Sequence, residues 1–253
     1  ELGAGLNIGI SWRGGRIEST IKSRSTPLLL WESVLKSGAN FINLQYGDCF
    51  EEIKQVKESL GVSINDWSDA DPLKDLDNFA AQITALDLVI SIDNSTVHFA
   101  GALGTPVWVL LPYAPEWRWF LHRDDSPWYP SARLFRQKKL DAWESVFEEV
   151  IKSLKLHDRQ IQITADLTTL LTATINAFRV NAIPEGHKKL IALLELLASH
   201  TTMLSEEKVL KLKMLLNKIL KELEQKNYDA ITETLEKEIA TLLNLSLEKA
   251  LLS

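Results

Sequence analysis

The chain is 253 residues long, 45% hydrophobic and 25% charged, with a net charge of −6 and one cysteine. That length holds one large domain or two smaller ones with real cores, and the acidic balance gives no electrostatic case for nucleic acid as the main partner. Cys49 alone allows neither an intramolecular disulfide nor a Cys-based zinc site, and no stretch approaches the ~20 apolar residues of a transmembrane helix.

In chain order, residues 7–12 read as a first strand, followed by the basic turn Arg13-Gly14-Gly15-Arg16. Such a turn at a strand end suits phosphate contact through its backbone N–H groups. A helical pattern at 28–37 precedes a strand at 41–45, the polar cluster Tyr46-Gly47-Asp48 and a helix at 51–60. A strand at 62–65 then runs into a loop carrying Asp66, Asp69, Asp71, Asp75 and Asp77, which reads as solvated and helix-capping, before a helix at 76–85.

The next stretch is the most informative. Residues 88–92 form an apolar run of the kind a covered parallel strand needs. Asp93, Asn94, Ser95 and Thr96 follow, four consecutive residues able to cap a helix, then a helix at 97–103 that Gly104 is placed to end. A helix start just beyond a buried parallel strand offers unpaired N–H groups and the positive end of the helix dipole, which makes it an anion site. A strand at 106–111, a loop with Trp117, Trp119, Trp128 and Tyr129, a strand at 132–137 and a helix at 142–154 complete the region.

Strands alternating with helices predict an α/β domain with a Rossmann-like parallel sheet and helices on both faces. Such sheets bind ligands at the carboxyl ends of their strands, where every polar or glycine-rich cluster here falls. No Walker or Gly-x-Gly-x-x-Gly fingerprint is present. His98 has no companions at metal-ligand spacing, so no metal is expected.

Composition changes near residue 157. All eight tryptophans lie from Trp12 to Trp143, and ten of eleven glycines precede residue 131. Beyond that point helical spacing dominates, at 168–178, 185–200, 206–225 and 229–243, with a short helix from Ser246. The division expected is a Rossmann-like lobe at 1–157 and an all-α domain at 158–253. The chain opens on Glu1 rather than Met and shows no signal peptide, so a fragment of a cytoplasmic protein is expected.

Asp93-Asn-Ser-Thr-Val-His-Phe-Ala-Gly-Ala-Leu-Gly-Thr-Pro106 resembles the signature of the ADP-heptose:lipopolysaccharide heptosyltransferases. The Gly9-Ile-Ser-Trp-Arg13 opening, Leu44-Gln-Tyr-Gly-Asp48 and the 111–119 and 126–130 segments are similar to bacterial tetratricopeptide-linked glycosyltransferases. The resemblance covers roughly residues 6–155 and implies the C-terminal, donor-binding half of a GT-B fold. It places Ser11, Arg13, Asp93, Asn94, Ser95, Thr96 and His98 at the donor sugar and phosphates, and Gln45, Tyr46 and Asp48 at the nucleoside. The glycine usual after Asp-(Ser/Thr) is Ser95 here, which substitutes a hydroxyl for close backbone approach.

The implied activity is transfer of a hexosyl- or heptosyl-type sugar from a nucleotide donor to a protein or envelope glycan, without a metal or other cofactor. The general base is unassigned, because in the resembling enzymes it comes from an N-terminal lobe, which is an expected partner. The alternative is a non-catalytic nucleotide-binding or protein-interaction module whose helical tail recruits a protein such as a flagellin or envelope component. A homo-oligomer through that tail is a further alternative.

Overall fold

The computed structural model describes residues 5–15, 23–201 and 204–245. Arg16 and the short helix expected from Ser246 lie outside these residues. The chain divides into two compact units, Glu1–Leu156 and His157–Ser253.

The first unit is built on six strands: β1 (Asn7–Ser11), β2 (Asn40–Asn43), β3 (Ile64–Asn65), β4 (Leu88–Ile92), β5 (Val107–Leu111) and β6 (Ala132–Arg136). All pair in parallel, in the spatial order β3-β2-β1-β4-β5-β6. This is the Rossmann-like order. It reverses direction between β1 and β4, where the connections leave to opposite sides and open a crevice at the strand ends.

Helices cover both faces. Ile8, Ile10, Leu88, Ile90 and Leu110 share one core with the short helix α1 (Glu32–Leu35), with α2 (Phe50–Leu60) and with the start of α5 (Trp143–Arg179). Residues of the opposite parity, Ile42, Val89, Val107 and Val109, share another core with α3 (Leu76–Thr84) and α4 (Ser95–Leu103). The two-residue period of a strand thus feeds both cores, which explains why β4 and β5 are buried throughout and apolar but for Ser91. Gly9 faces the second core, where a Cβ would meet Leu44 at 2.4 Å and Leu86 at 2.5 Å.

Two helical expectations change. The pattern at 28–37 folds as a 3-10 turn, Leu28–Trp31, followed by only the four residues of α1. A 3-10 turn brings i and i+3 to the same side, and this buries Leu28 and Trp31 together. The helices expected at 142–154 and 168–178 join as the single helix α5. Residues 155–167 contain neither Gly nor Pro and are rich in straight-chain helix formers, so a shift in composition does not interrupt the backbone.

In the second unit Leu167, Leu171 and Ile175 of α5 pack in one core with Leu190 and Leu193 of α6 (Ile183–His200) and Leu212 of α7 (Glu206–Glu224). Pro184 occupies the first turn of α6, where its missing N–H is not needed. The Ser205 side chain accepts the Lys208 N–H at 3.4 Å to cap α7. The chain continues through α8 (Tyr228–Glu233), a π turn (Thr234–Ile239) and α9 (Ala240–Leu243). No helix among the described residues is long and apolar enough to cross a membrane.

Candidate ligand site

The crevice between the ends of β1 and β4 is set by two amides. Asn94 caps α4: its Oδ1 accepts the Thr96 N–H at 2.9 Å and the Ser91 hydroxyl at 3.2 Å. Its Nδ2 donates to the Ser11 hydroxyl at 2.7 Å and to the Arg13 carbonyl at 3.0 Å. From the other side Gln45 Oε1 accepts the Ser11 hydroxyl at 3.0 Å and the backbone N–H groups of Trp12 and Arg13 at 3.0 and 2.7 Å. Its Nε2 donates to the Tyr46 carbonyl at 3.1 Å. The structure therefore brings Ser11, Gln45 and Asn94 together, but facing one another. The Asn94 amide is saturated by protein and the Gln45 oxygen accepts three donors, so both act as struts that hold three strand ends in register.

Above this framework lies a cleft of about 900 Å³. Asn94, Ser95 and His98 of the α4 start form part of its wall, with Arg24, Glu116 and Arg118 arriving from distant parts of the sequence. Ser95 is exposed to the cleft while Thr96 is buried beneath it, its hydroxyl 3.4 Å from the Leu44 carbonyl. The first turn of α4 has no acidic residue to compete for its N–H groups, which keeps the dipole end attractive to an anion. The facing lip is apolar: Leu73 and Leu76 stand well exposed beside Pro72 and Tyr46.

Charge in the cleft is organised around Arg24. Its guanidinium donates to the Asp93 carbonyl through Nη2 at 2.6 Å and Nε at 3.2 Å, and lies 3.1 Å from the Asp93 carboxylate. Its Nη1 donates to Glu116 at 2.6 Å, and the other Glu116 oxygen accepts from Arg118 at 2.7 Å. Asp93 is only 1% exposed. That burial raises its pKa, and the attraction of Arg24 offsets the rise only in part. The Trp119 indole N–H also draws the pKa down, although it is not aligned as a hydrogen bond.

His98 is held neutral. Its Nε2 lies 3.0 Å from Arg118 Nη1 and its Nδ1 lies 3.0 Å from the Tyr129 hydroxyl. A guanidinium can only donate, so Nε2 is the acceptor and the proton sits on Nδ1, where it donates to Tyr129. Burial first, and then the charge of Arg118, push the imidazole pKa down. The ring stacks on Trp119, with centroids 5.6 Å apart.

Other expected site residues stand elsewhere. Arg13 is not part of the cleft wall; its guanidinium donates to the Asp48 carbonyl at 2.7 Å and pairs with Glu52 at 3.2 Å. Asp48 accepts the Phe50 N–H at 3.1 Å and borders a separate cavity of about 220 Å³ with Gln45, Cys49 and Asp66. Burial raises the Cys49 thiol pKa, which argues against a nucleophile. Among the described residues no group of three or more His, Cys, Asp or Glu side chains is placed to hold a metal ion.

Glu116 and Arg118 are not among the residues that the sequence marks for the site, and Arg24 carries only a weaker expectation of phosphate contact than the Arg13–Arg16 turn. Arg24 and Asp93 are 69 positions apart and Arg24 and Glu116 are 92 apart, so no local pattern reports the network. The available signal was composition: Arg118 sits between two tryptophans, in a loop directly after an apolar strand.

Protein FlbA of Caulobacter vibrioides is 40% identical to this chain over 156 residues. The match covers 61% of this chain and 26% of that protein. No protein-family model matches the chain, and no solved structure matches it.

Proposed function

We propose that the first unit is the donor-binding lobe of a GT-B-type glycosyltransferase that uses a nucleotide-activated sugar. The observation that carries this reading is the meeting of the α4 start with Arg24 and Arg118 in one cleft at the reversal of strand order. In this reading the diphosphate lies over Ser95 and the first-turn N–H groups of α4. The two guanidiniums stabilise the charge that develops on the departing nucleoside diphosphate, a role that needs no divalent metal. Tyr46, Leu73 and Leu76 give the nucleoside an apolar surface, while Gln45 and Asn94 position the loops without touching ligand. The acceptor is a protein or an envelope glycan, and the work is done in the cytoplasm.

Calorimetric titration with ADP-, UDP-, GDP- and CMP-sugars tests the reading. One of them is expected to bind at micromolar concentration and to lose its binding in Ser95→Asp. An acidic residue in the first turn favours the helix yet repels phosphate, so the fold survives. Silence across the panel overturns the assignment.

A second reading, a protein-interaction module, is favoured by a cluster of aromatic side chains. Trp117 is 74% exposed, and Phe120 stacks on the exposed Trp128 with centroids 6.4 Å apart. Contiguous exposed apolar surface of this kind marks recognition sites.

A further inference from the structure

We infer that Glu116 occupies the seat of the ligand's phosphoryl group, so that a doubly charged anion must displace it to bind. This rests on the anion-site reading of the cleft. The Glu116 carboxylate spans Arg24 Nη1 at 2.6 Å and Arg118 Nη2 at 2.7 Å, taking one guanidinium on each oxygen. Two non-bridging oxygens of one phosphoryl group present the same pair of acceptors to the same two donors.

The surroundings define which anions can compete. Arg24 is anchored on the Asp93 carbonyl and carboxylate, and Arg118 on the neutral His98 ring. Both guanidiniums therefore keep their places when Glu116 leaves. Glu116 itself is half-buried, with its side chain 36% exposed, and is held by these arginines alone among the described contacts. A monoanion offers the pair no more charge than Glu116 already supplies. A phosphate or diphosphate dianion offers more, and it gains the N–H groups at the α4 start as well. The arrangement limits affinity for every anion by the same factor, so that an anion with the added charge and contacts of a nucleotide diphosphate still binds where a carboxylate metabolite does not.

The test is titration of the full chain with inorganic pyrophosphate, ADP and acetate, in wild type, Glu116→Gln and Glu116→Ala. Thermal melting confirms that each variant is folded. Both variants are expected to bind pyrophosphate and ADP roughly tenfold more tightly than wild type, the scale of one lost charge-assisted contact, with acetate still the weakest of the three. Binding by wild type that is unchanged or weakened in both variants overturns the role of Glu116 and leaves the anion site standing. Absence of binding in all three proteins overturns both.

Discussion

Asn94 and Ser11 lie 83 residues apart in sequence and are joined by a 2.7 Å hydrogen bond that ties the end of β4 to the end of β1. The same amide caps α4, so one side chain fixes both the crevice and the helix that points into it. Asn94→Ala removes the cap and leaves the Arg13 carbonyl without its side-chain donor. The expected loss is about 2–3 kcal/mol, combining a helix cap with one abandoned polar group. Because every tryptophan lies from Trp12 to Trp143, intrinsic fluorescence during urea unfolding reports this unit. Asn94→Asp is no rescue, since it sets a carboxylate oxygen against the Arg13 carbonyl. A loss in Asn94→Ala below about 1 kcal/mol would show that the strut is dispensable.

Arg24 and Asp93 give a prediction about coupling. Removing Arg24 abandons a carboxylate that is 1% exposed, and breaking one side of a buried pair costs about 3–5 kcal/mol. Arg24 retains 18% exposure, so the lower end of that range is expected for Arg24→Ala. Adding Asp93→Asn to Arg24→Ala should recover part of the loss, because the abandoned charge is gone. Strict additivity of the two substitutions, measured by the same fluorescence assay, would mean that the pair does not interact.

The pH dependence of stability should contain two opposing contributions from this cleft. Asp93 has a raised pKa when folded, so between the ordinary carboxylate value and the raised one the native state holds more protons than the unfolded state. Stability from this group falls as pH rises through that window. His98 has a lowered pKa, so its contribution is complete above the ordinary histidine value of 6.5 and is lost as pH falls through the folded value. Asp93→Asn should therefore remove a falling limb, and His98→Gln a rising one. Urea midpoints collected across acidic to neutral pH check this; a change of slope in the opposite sense for either variant contradicts the burial argument.

The parts of this architecture that were legible in the sequence are those written in consecutive residues. The apolar run of β4, the cap at Asn94 and the stop at Gly104, which has a positive φ of 76°, specify strand, helix start and helix end locally. The helix begins two residues earlier than its apolar pattern, because Ser95 and Thr96 are helical without being apolar. Arg13 looked like the phosphate partner because it follows β1 directly, yet Glu52 and the Asp48 carbonyl hold it aside. Arg24 and Arg118 reach the cleft only through tertiary contacts, and single-sequence patterns carry no such information.

Gly101 and Gly9 separate two kinds of crowding. A Cβ on Gly101 would lie 2.4 Å from Cγ and 2.8 Å from Cβ of Tyr129, so the whole ring and its stem must move. A Cβ on Gly9 would strike the tips of Leu44 and Leu86, which can rotate. Overpacking a core costs about 1–3 kcal/mol, and Gly101→Ala is expected at the top of that range with Gly9→Ala below it. Gly101→Ala should also disturb the 3.0 Å contact between Tyr129 and His98, and with it the seating of Arg118. Tyr129→Ala relieves the crowding, so the double variant should lose less stability than the two single losses combined. If Gly101→Ala melts with wild type, the close packing of α4 on Tyr129 is not what holds the cleft wall in place.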